Sequence, residues 1–136
     1  MAEEAGRQGS VEIRVRYPEV DRMGVAHHAA HFVWFEIGRT ELMRAAGMTY
    51  AALEDQGVFL PVIEAECAYR APARYDDRVR VVTEVAETGP VRVAFRYRIE
   101  RVEDGRLLAS GRTRHAAVDG RGRPRRLPAG VLELLG

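Results

Sequence analysis

The sequence predicts an α+β domain in which one strand precedes a long helix and four more strands follow it. Only one stretch, from about residue 29 to residue 46, repeats apolar side chains every three or four positions, which is the period of a helix. On both sides of it, apolar and polar residues alternate as in half-buried strands. The 136 residues are enough for one hydrophobic core, so we expect a single domain over residues 11–136 after a flexible, polar tail at residues 1–10.

The first strand is expected between Val11 and Tyr17, where apolar side chains alternate with charged ones. Pro18 stops this strand, because proline has no N–H to donate to a neighbouring strand. The long helix ends at Gly47, since glycine readily adopts the left-handed conformation of a helix C-cap. Because the helical pattern begins at about residue 29, His28 is expected near the first turn of that helix.

The second half of the chain is almost entirely β, after a short helix or turn at residues 49–55. The alternating segments lie at about residues 63–70, 78–85, 91–100 and 107–118. Turn signals rich in glycine and acidic residues predict that the last three strands form an antiparallel meander. The long helix is apolar nearly all the way round its N-terminal half, so we expect the sheet to curve around it. One helix leaves part of the sheet uncovered, which favours self-association.

Composition argues against several classes of protein. The 21 basic and 20 acidic residues nearly balance, which argues against a dedicated nucleic-acid surface. No segment contains the ~20 consecutive apolar residues that span a bilayer, and residues 1–10 lack the apolar core of a signal peptide. We therefore expect a soluble, cytoplasmic protein without a membrane span. Cys67 is the only cysteine, so no internal disulfide forms, and its place in a strand favours a buried thiol.

Asp21 and His28 are the strongest candidates for chemistry. Asp21 lies in the loop before the helix, seven residues ahead of His28. The first N–H groups of a helix have no internal partner, and the helix dipole adds roughly half a positive charge there, which suits an oxyanion. Thioesters are activated acyl donors, so an enzyme that cleaves them mainly needs an oxyanion site and a nucleophile or general base. The helix start offers the first and Asp21 the second.

A set of short motifs runs from the end of the first strand into the helix: Arg16-Tyr17, Asp21, Gly24-Val25, His28, Phe35-Glu36 and Arg39-Thr40-Glu41. These motifs resemble those of hotdog-fold thioesterases in the 4-hydroxybenzoyl-CoA thioesterase-like group, in particular its bacterial acyl-CoA thioester hydrolase branch associated with the Tol–Pal cluster. The resemblance implies a five-stranded antiparallel sheet wrapped around one long central helix. It also implies an acyl-CoA substrate and homodimers, often homotetramers, whose active sites lie at the dimer interface.

The resemblance also assigns roles to single residues. Asp21 matches the catalytic aspartate, and His28 matches the residue whose backbone N–H polarises the thioester carbonyl. Tyr17 matches an aromatic residue that lines the site. The neighbouring positions that we assign to substrate binding are Gly24, Val25 and His27. The chain departs from the common pattern at Ala30 and His31, where many members have Asn and Tyr, and at His27, where Tyr is usual; these changes bear on the acyl pocket.

Glu36 is the rival carboxylate. It lies about two helical turns after His28, and a sister branch of hotdog thioesterases uses a helix glutamate at a similar offset from its oxyanion residue. The residues that flank Asp21 fit the aspartate branch, so Asp21 is favoured. Glu36 would then be a buried partner for Arg39 or another polar group.

Other chemistries have weaker support. His27 and His31 have the i, i+4 spacing of a metal pair, but no glutamate follows in metalloprotease spacing, so we expect no metal. No phosphate loop or dinucleotide fingerprint is present, so no cofactor is expected. Arginines on the outer sheet face, and Arg70 and Arg74 beside Pro72, form solvated ion pairs or hold coenzyme phosphates. Two further functions stay open for this architecture: an enoyl-thioester hydratase or dehydratase, and a non-catalytic acyl-CoA-binding module.

Overall fold

The structure is a computed structural model that describes residues 6–136. Its strands are β1 (Gln8–Arg14), β2 (Val62–Tyr69), β3 (Arg78–Thr88), β4 (Arg92–Arg101) and β5 (Leu107–Ala116). Its helices are α1 (His28–Ala45), α2 (Tyr50–Asp55) and α3 (Ala129–Leu135), and a 3₁₀ turn covers Tyr17–Glu19. The five strands form one antiparallel sheet in the order β1-β3-β4-β5-β2, against which α1 packs. The predicted α+β architecture and the β3-β4-β5 meander are therefore confirmed. Within residues 6–136, no helix is both long enough and apolar enough to cross a membrane.

Two glycines allow α1 to lie close to the sheet. A Cβ added to Gly38 of α1 would lie 2.8 Å from Cγ1 of Val81 on β3. A Cβ added to Gly111 of β5 would lie 2.5 Å from the ring of Phe35 on α1. Phe35 instead stacks on Tyr97, with ring centroids 4.3 Å apart, and both rings are buried. The side of the last strand that carries small residues thus packs against the helix, as its composition indicated.

The first strand begins and ends earlier than the sequence predicted. Its first three residues, Gln8, Gly9 and Ser10, pair with Glu84, Thr83 and Val82 of β3. The expected tail of residues 1–10 therefore extends too far, since residues 8–10 belong to β1. A strand can pair through its backbone without apolar side chains, so composition did not reveal this pairing. Residues 1–5 lie outside the described residues. Tyr17 is also not a strand residue. It is the first residue of a 3₁₀ turn that contains Pro18, and it is 75% exposed.

The C-terminal helix α3 was not predicted. Val131 and Leu135 are fully buried against the sheet, and the N–H of Arg7 donates to the carbonyl of Leu135 at 3.1 Å. The helix contains only seven residues, too few for a helical period to stand out from a short apolar run. Its stability comes from tertiary packing against β3, which the local sequence does not reveal.

Strand β2 is an edge strand that is exposed on both faces. Val62, Ile63 and Tyr69 are among the exposed large apolar residues of the chain. Cys67, expected to be buried, is half-buried, and this burial raises the pKa of its thiol. The predicted inner side of β2 lies beside β5, and α1 contacts it at Tyr69, while Ile63 and Ala65 of the same side stay exposed.

The outer face of the sheet carries ion pairs between neighbouring strands. They include Arg80 with Glu12 at 3.3 Å, Arg96 with Glu84 at 2.5 Å and Arg114 with Glu64 at 2.7 Å. Each pair joins two strands that are hydrogen-bonded in the sheet. Of the two roles considered for the outer-face arginines, ion pairing and binding of coenzyme phosphates, these three arginines have the ion pairs. Exposed pairs of this kind contribute at most about 1 kcal/mol each.

Candidate active site

The loop of residues 20–27 carries the candidate aspartate to the start of α1. The N–H of His27 donates to the carbonyl of Glu19 at 2.9 Å, which closes the base of the loop. At its tip, the N–H of Gly24 donates to the carbonyl of Asp21 at 2.9 Å. Gly24 has a φ of 75°, a conformation that glycine adopts without the strain other residues meet. The predicted turn at Gly24 therefore holds Asp21 in a defined backbone position.

The carboxylate of Asp21 is anchored through one oxygen only. Its Oδ1 accepts hydrogen bonds from the N–H groups of Met23 at 2.8 Å and Val25 at 3.2 Å. Its Oδ2 has no hydrogen-bond partner within residues 6–136, and the residue is exposed. One oxygen thus fixes the orientation of the side chain, while the other is free to attack a carbonyl carbon or to accept a proton.

Helix α1 presents two free N–H groups at its start. The helix begins at His28 after the extended N-cap residue His27, whose side chain makes no capping hydrogen bond. The N–H groups of His28 and Ala29 have no acceptor in the described part of the chain, as is usual for a first helical turn. Both residues are exposed. These are the donors that the position of His28 predicted for an oxyanion, and that role stays a prediction.

An open groove of about 340 Å³ lies between this first turn of α1 and the end of β2. The residues that line it are Val25, Ala26, His28, His31, Tyr69, Arg70, Ala71, Pro72 and Ala73. The predicted residues His28 and Val25 are therefore together in the groove. Asp21 does not line the groove, although its Oδ1 accepts a hydrogen bond from the N–H of Val25, which does.

His31 and Tyr69 form hydrogen bonds with the backbone of the first turn. Nδ1 of His31 lies 3.2 Å from the carbonyl oxygens of both His27 and His28. The hydroxyl of Tyr69 donates to the carbonyl of His28 at 2.9 Å. Burial lowers the pKa of His31, and desolvation together with the neighbouring Cys67 thiol raises the pKa of Tyr69 to about 12. His31 is thus neutral and Tyr69 protonated near neutral pH.

Tyr17 lies beside the loop rather than in the groove. Its ring packs edge-to-face on that of Tyr75, with centroids 5.7 Å apart. The N–H of Tyr75 donates to the carbonyl of Gly24 at 3.1 Å, which connects the pair to the tip of the loop. Tyr17 is therefore close to the loop of Asp21, and its role in lining the site stays a prediction.

Glu36 lies apart from these residues. It is exposed on α1, eight residues or about 12 Å along the helix from His28. Within residues 6–136 it forms no ion pair with Arg39, which is buried and lies beside the hydroxyls of Tyr50 and Tyr97. The buried pair considered for Glu36 in the sequence analysis is thus wrong, and its rivalry with Asp21 stays open to experiment.

Glu19 is a residue of this region that sequence reasoning missed. Its carboxylate is 9% exposed and accepts hydrogen bonds from the Trp34 indole N–H at 2.9 Å and the Arg16 N–H at 2.8 Å. It thereby joins the chain just before the loop to α1. A glutamate three residues after the N-cap of a turn was the available signal, but Trp34 is fifteen residues away and no local pattern connects the two.

Two arginines near the groove have no acidic partner in the described part of the chain. The guanidinium groups of Arg70 and Arg74 form no ion pair within residues 6–136, so they are available to an anionic ligand.

Over residues 6–136, no group of three His, Cys, Asp or Glu side chains has the arrangement of a metal site. Nδ1 of His31 donates to backbone carbonyls, so this nitrogen is not a free metal ligand.

Comparison with known proteins identifies the group to which this arrangement belongs. The sequence profile of the thioesterase-like superfamily matches residues 15–135. The chain belongs to this superfamily. Its match spans both Asp21 and His28, together with every strand from β2 to β5 and all three helices.

Individual proteins are also similar to this chain. The acyl-CoA thioester hydrolase YbgC of Escherichia coli O157:H7 is 31% identical over 121 residues, which are 88% of this chain and 90% of that protein. The crystal structure of the hypothetical protein TT1821 from Thermus thermophilus has a TM-score of 0.87 and 42% identity, covering 93% of this chain and 95% of that one. The DHNA-CoA thioesterase from Staphylococcus aureus has a TM-score of 0.84 and 32% identity, covering 88% and 80%. The predicted hotdog fold and the resemblance to thioesterases are confirmed.

Proposed function

We propose that this protein hydrolyses the thioester bond of an acyl-CoA to a free acid and CoA, with Asp21 and the first turn of α1 as its chemical groups. The observation that carries the proposal is one loop and helix that present a carboxylate with a free oxygen and two free N–H donors. Thioester hydrolysis is the reaction named for the relatives that cover most of this chain. The names of these relatives also support coenzyme A as the carrier.

The backbone N–H of His28 would bind the carbonyl oxygen of the thioester and stabilise the negative charge that develops on it. Asp21 can then act in two ways. Its Oδ2 attacks the carbonyl carbon and gives a mixed anhydride that water hydrolyses, or it takes a proton from the water molecule that attacks. In both routes the C–S bond breaks and CoA leaves as a thiolate that is protonated by solvent. Neither route requires a metal or a cofactor.

The surrounding residues would hold the substrate. Gly24, Val25 and His27 belong to the loop and N-cap that border the groove, and Tyr17 would line the site from the side of the loop. Arg70 lines the groove and forms no ion pair within the described chain, so its guanidinium suits a CoA phosphate. We also propose a cytoplasmic location, where acyl-CoA is made and used.

We propose that the active form is a homodimer, or a homotetramer built from dimers, in which β2 forms the contact. An edge strand with free backbone groups and exposed apolar side chains pairs readily with a second copy. Pairing there would also cover the groove beside Tyr69, which is open to solvent in one subunit. An Ile63→Arg variant should sediment as a monomer with lost activity, whereas a wild-type protein that sediments as an active monomer would contradict the dimer.

The decisive experiment measures thiol release from short, long and aromatic acyl-CoAs by the wild type, Asp21→Asn and Glu36→Gln. Each variant keeps the size of its side chain and removes the carboxylate. Turnover that falls on the order of 100-fold or more only in Asp21→Asn supports Asp21 as nucleophile or base. The same loss confined to Glu36→Gln would move the role to Glu36. No release from any acyl-CoA by the wild type would contradict the proposed function.

A further inference from the structure

We infer that His31 and Tyr69 are positioning residues that strengthen the two N–H donors at the start of α1 through the carbonyls of the same peptide units. The inference rests on the proposed function, because it concerns how that oxyanion site works. It assigns both residues a part in the reaction without contact with the reacting atoms. Two peptide units are involved, His27–His28 and His28–Ala29.

The first unit contains the N–H of His28 and the carbonyl of His27. That carbonyl accepts a hydrogen bond from the N–H of Ala30 at 3.0 Å and lies 3.2 Å from Nδ1 of His31. A carbonyl oxygen can only accept, so Nδ1 carries the proton and donates. A hydrogen bond to the carbonyl of a peptide polarises the whole unit and makes its N–H a better donor. His31 therefore acts on the N–H that would bind the thioester oxygen.

The second unit contains the N–H of Ala29 and the carbonyl of His28. This carbonyl accepts the hydroxyl of Tyr69 at 2.9 Å and is the second acceptor of the His31 Nδ1–H, also at 3.2 Å. The two free donors thus belong to the two peptide units whose carbonyls receive side-chain hydrogen bonds. Of the two side chains that donate these hydrogen bonds, His31 belongs to α1 and Tyr69 belongs to the edge strand β2.

The packing of His31 holds this geometry in place. Its ring is 3% exposed, lies 4.7 Å from the ring of Trp34 and meets the ring of Tyr69 edge-on at 4.8 Å. The ring is neutral, as burial lowers its pKa, so it provides a directed N–H rather than a net charge. Tyr69 keeps its proton because its pKa is raised to about 12. Both groups are therefore hydrogen-bond donors near neutral pH.

The kinetic test uses variants that keep the ring and remove the donor. We expect His31→Phe and Tyr69→Phe each to lower kcat about 10-fold with KM changed less than about threefold, since removal of a direct oxyanion donor lowers kcat by a larger factor of about 100 or more. His31→Asn places an amide N–H near the position of Nδ1 and should restore most of the activity. Tyr75→Phe is the matched control, because the Tyr75 hydroxyl makes no hydrogen bond within residues 6–136, and it should keep wild-type kcat.

A second measurement does not depend on turnover. The backbone amide ¹⁵N shift of His28 should move in His31→Phe and return in His31→Asn, and that of Ala29 should move in Tyr69→Phe, because these shifts respond to hydrogen bonding at the preceding carbonyl. Both amide shifts unchanged would overturn the inference, as would wild-type kcat in both Phe variants of an active enzyme. A wild type that is inert toward every acyl-CoA would instead contradict the proposed function, and the shifts would still report the polarisation. If His31→Phe fails to fold, Tyr69→Phe tests the same idea at the Ala29 amide.

Discussion

The carboxylate of Glu19 accepts a hydrogen bond from the indole N–H of Trp34 at 2.9 Å, in the interior of the protein. Glu19 belongs to the 3₁₀ turn before the loop of Asp21, and Trp34 belongs to α1, which starts with the free N–H groups. The bond therefore connects the element before the Asp21 loop to the helix that carries the proposed oxyanion site. The indole is fully buried, so its N–H has no solvent molecule as an alternative acceptor.

We expect Glu19→Ala to lower the free energy of unfolding by about 2–3 kcal/mol, because the buried N–H of Trp34 and the partly buried N–H of Arg16 lose their acceptor. Trp34 is the only tryptophan, so its fluorescence during urea unfolding measures the change. Glu41→Ala is the control. Within residues 6–136, Glu41 pairs only with the exposed Arg44, at 3.4 Å, and its removal should change the free energy by less than about 1 kcal/mol. Equal losses in the two variants would show that the buried bond contributes little.

A second expectation concerns the tip of the Asp21 loop. Gly24 and Gly105 both have positive φ, 75° and 70°, and a Cβ would meet no atom within 4 Å at either position. Gly24→Ala and Gly105→Ala should therefore lower the free energy of unfolding by a similar amount, about 1 kcal/mol, from backbone strain alone. Only Gly24→Ala should also lower kcat, since Gly24 holds the backbone of Asp21. Similar kcat values for the two variants would show that the loop conformation does not limit the reaction.

His28 provides a third test, because its proposed role belongs to its backbone. We expect His28→Ala to lower kcat less than about 10-fold, whereas Asp21→Asn lowers it on the order of 100-fold or more. The alanine retains the N–H, and the imidazole of His28 makes no hydrogen bond within residues 6–136. Steady-state thiol release measures both variants. A loss in His28→Ala as large as that in Asp21→Asn would mean that the imidazole itself takes part.

A buried chain of hydrogen bonds gives the fourth expectation. His115 is fully buried; its Nδ1 donates to the carbonyl of Leu60 at 3.0 Å, and its Nε2 accepts the hydroxyl of Thr113 at 2.8 Å. Thr113 in turn accepts the hydroxyl of Tyr97 at 2.6 Å. Burial, with a contribution from the nearby Arg39 cation, lowers the pKa of His115 to about 4. The chain of donors and acceptors is complete only when His115 is neutral.

The unfolded state therefore binds more protons than the folded state between pH 6.5 and about 4. The free energy of unfolding should fall as the pH drops through this window, with a contribution from His115 of about 3 kcal/mol that is complete above pH 6.5 and lost near pH 4. Urea unfolding at several pH values should show a steeper slope for the wild type than for His115→Asn. Parallel slopes in the two proteins would contradict a lowered pKa at His115.

Much of the architecture could be predicted from local patterns. Alternation located β3, β4 and β5, and helical periodicity located α1, because their side chains meet the same core along their whole length. The pattern failed where the environment changes within a few residues. Gln8 and Ser10 pair with β3 without apolar side chains, and α3 is too short for its period to be recognised.

The sequence by itself determined the order of strands and helix, the turn at Gly24 and the seven-residue spacing that puts a carboxylate before a helix start. These features depend on neighbours in the chain, so residue type and spacing are enough to reveal them. The tertiary structure decided which oxygen of Asp21 is free, that Glu19 binds Trp34, and that Tyr69 reaches the carbonyl of His28 from a strand 41 residues away. Such contacts depend on how α1 lies against the sheet, because a hydrogen bond needs its two atoms within about 3 Å and residue spacing along the chain does not set that distance.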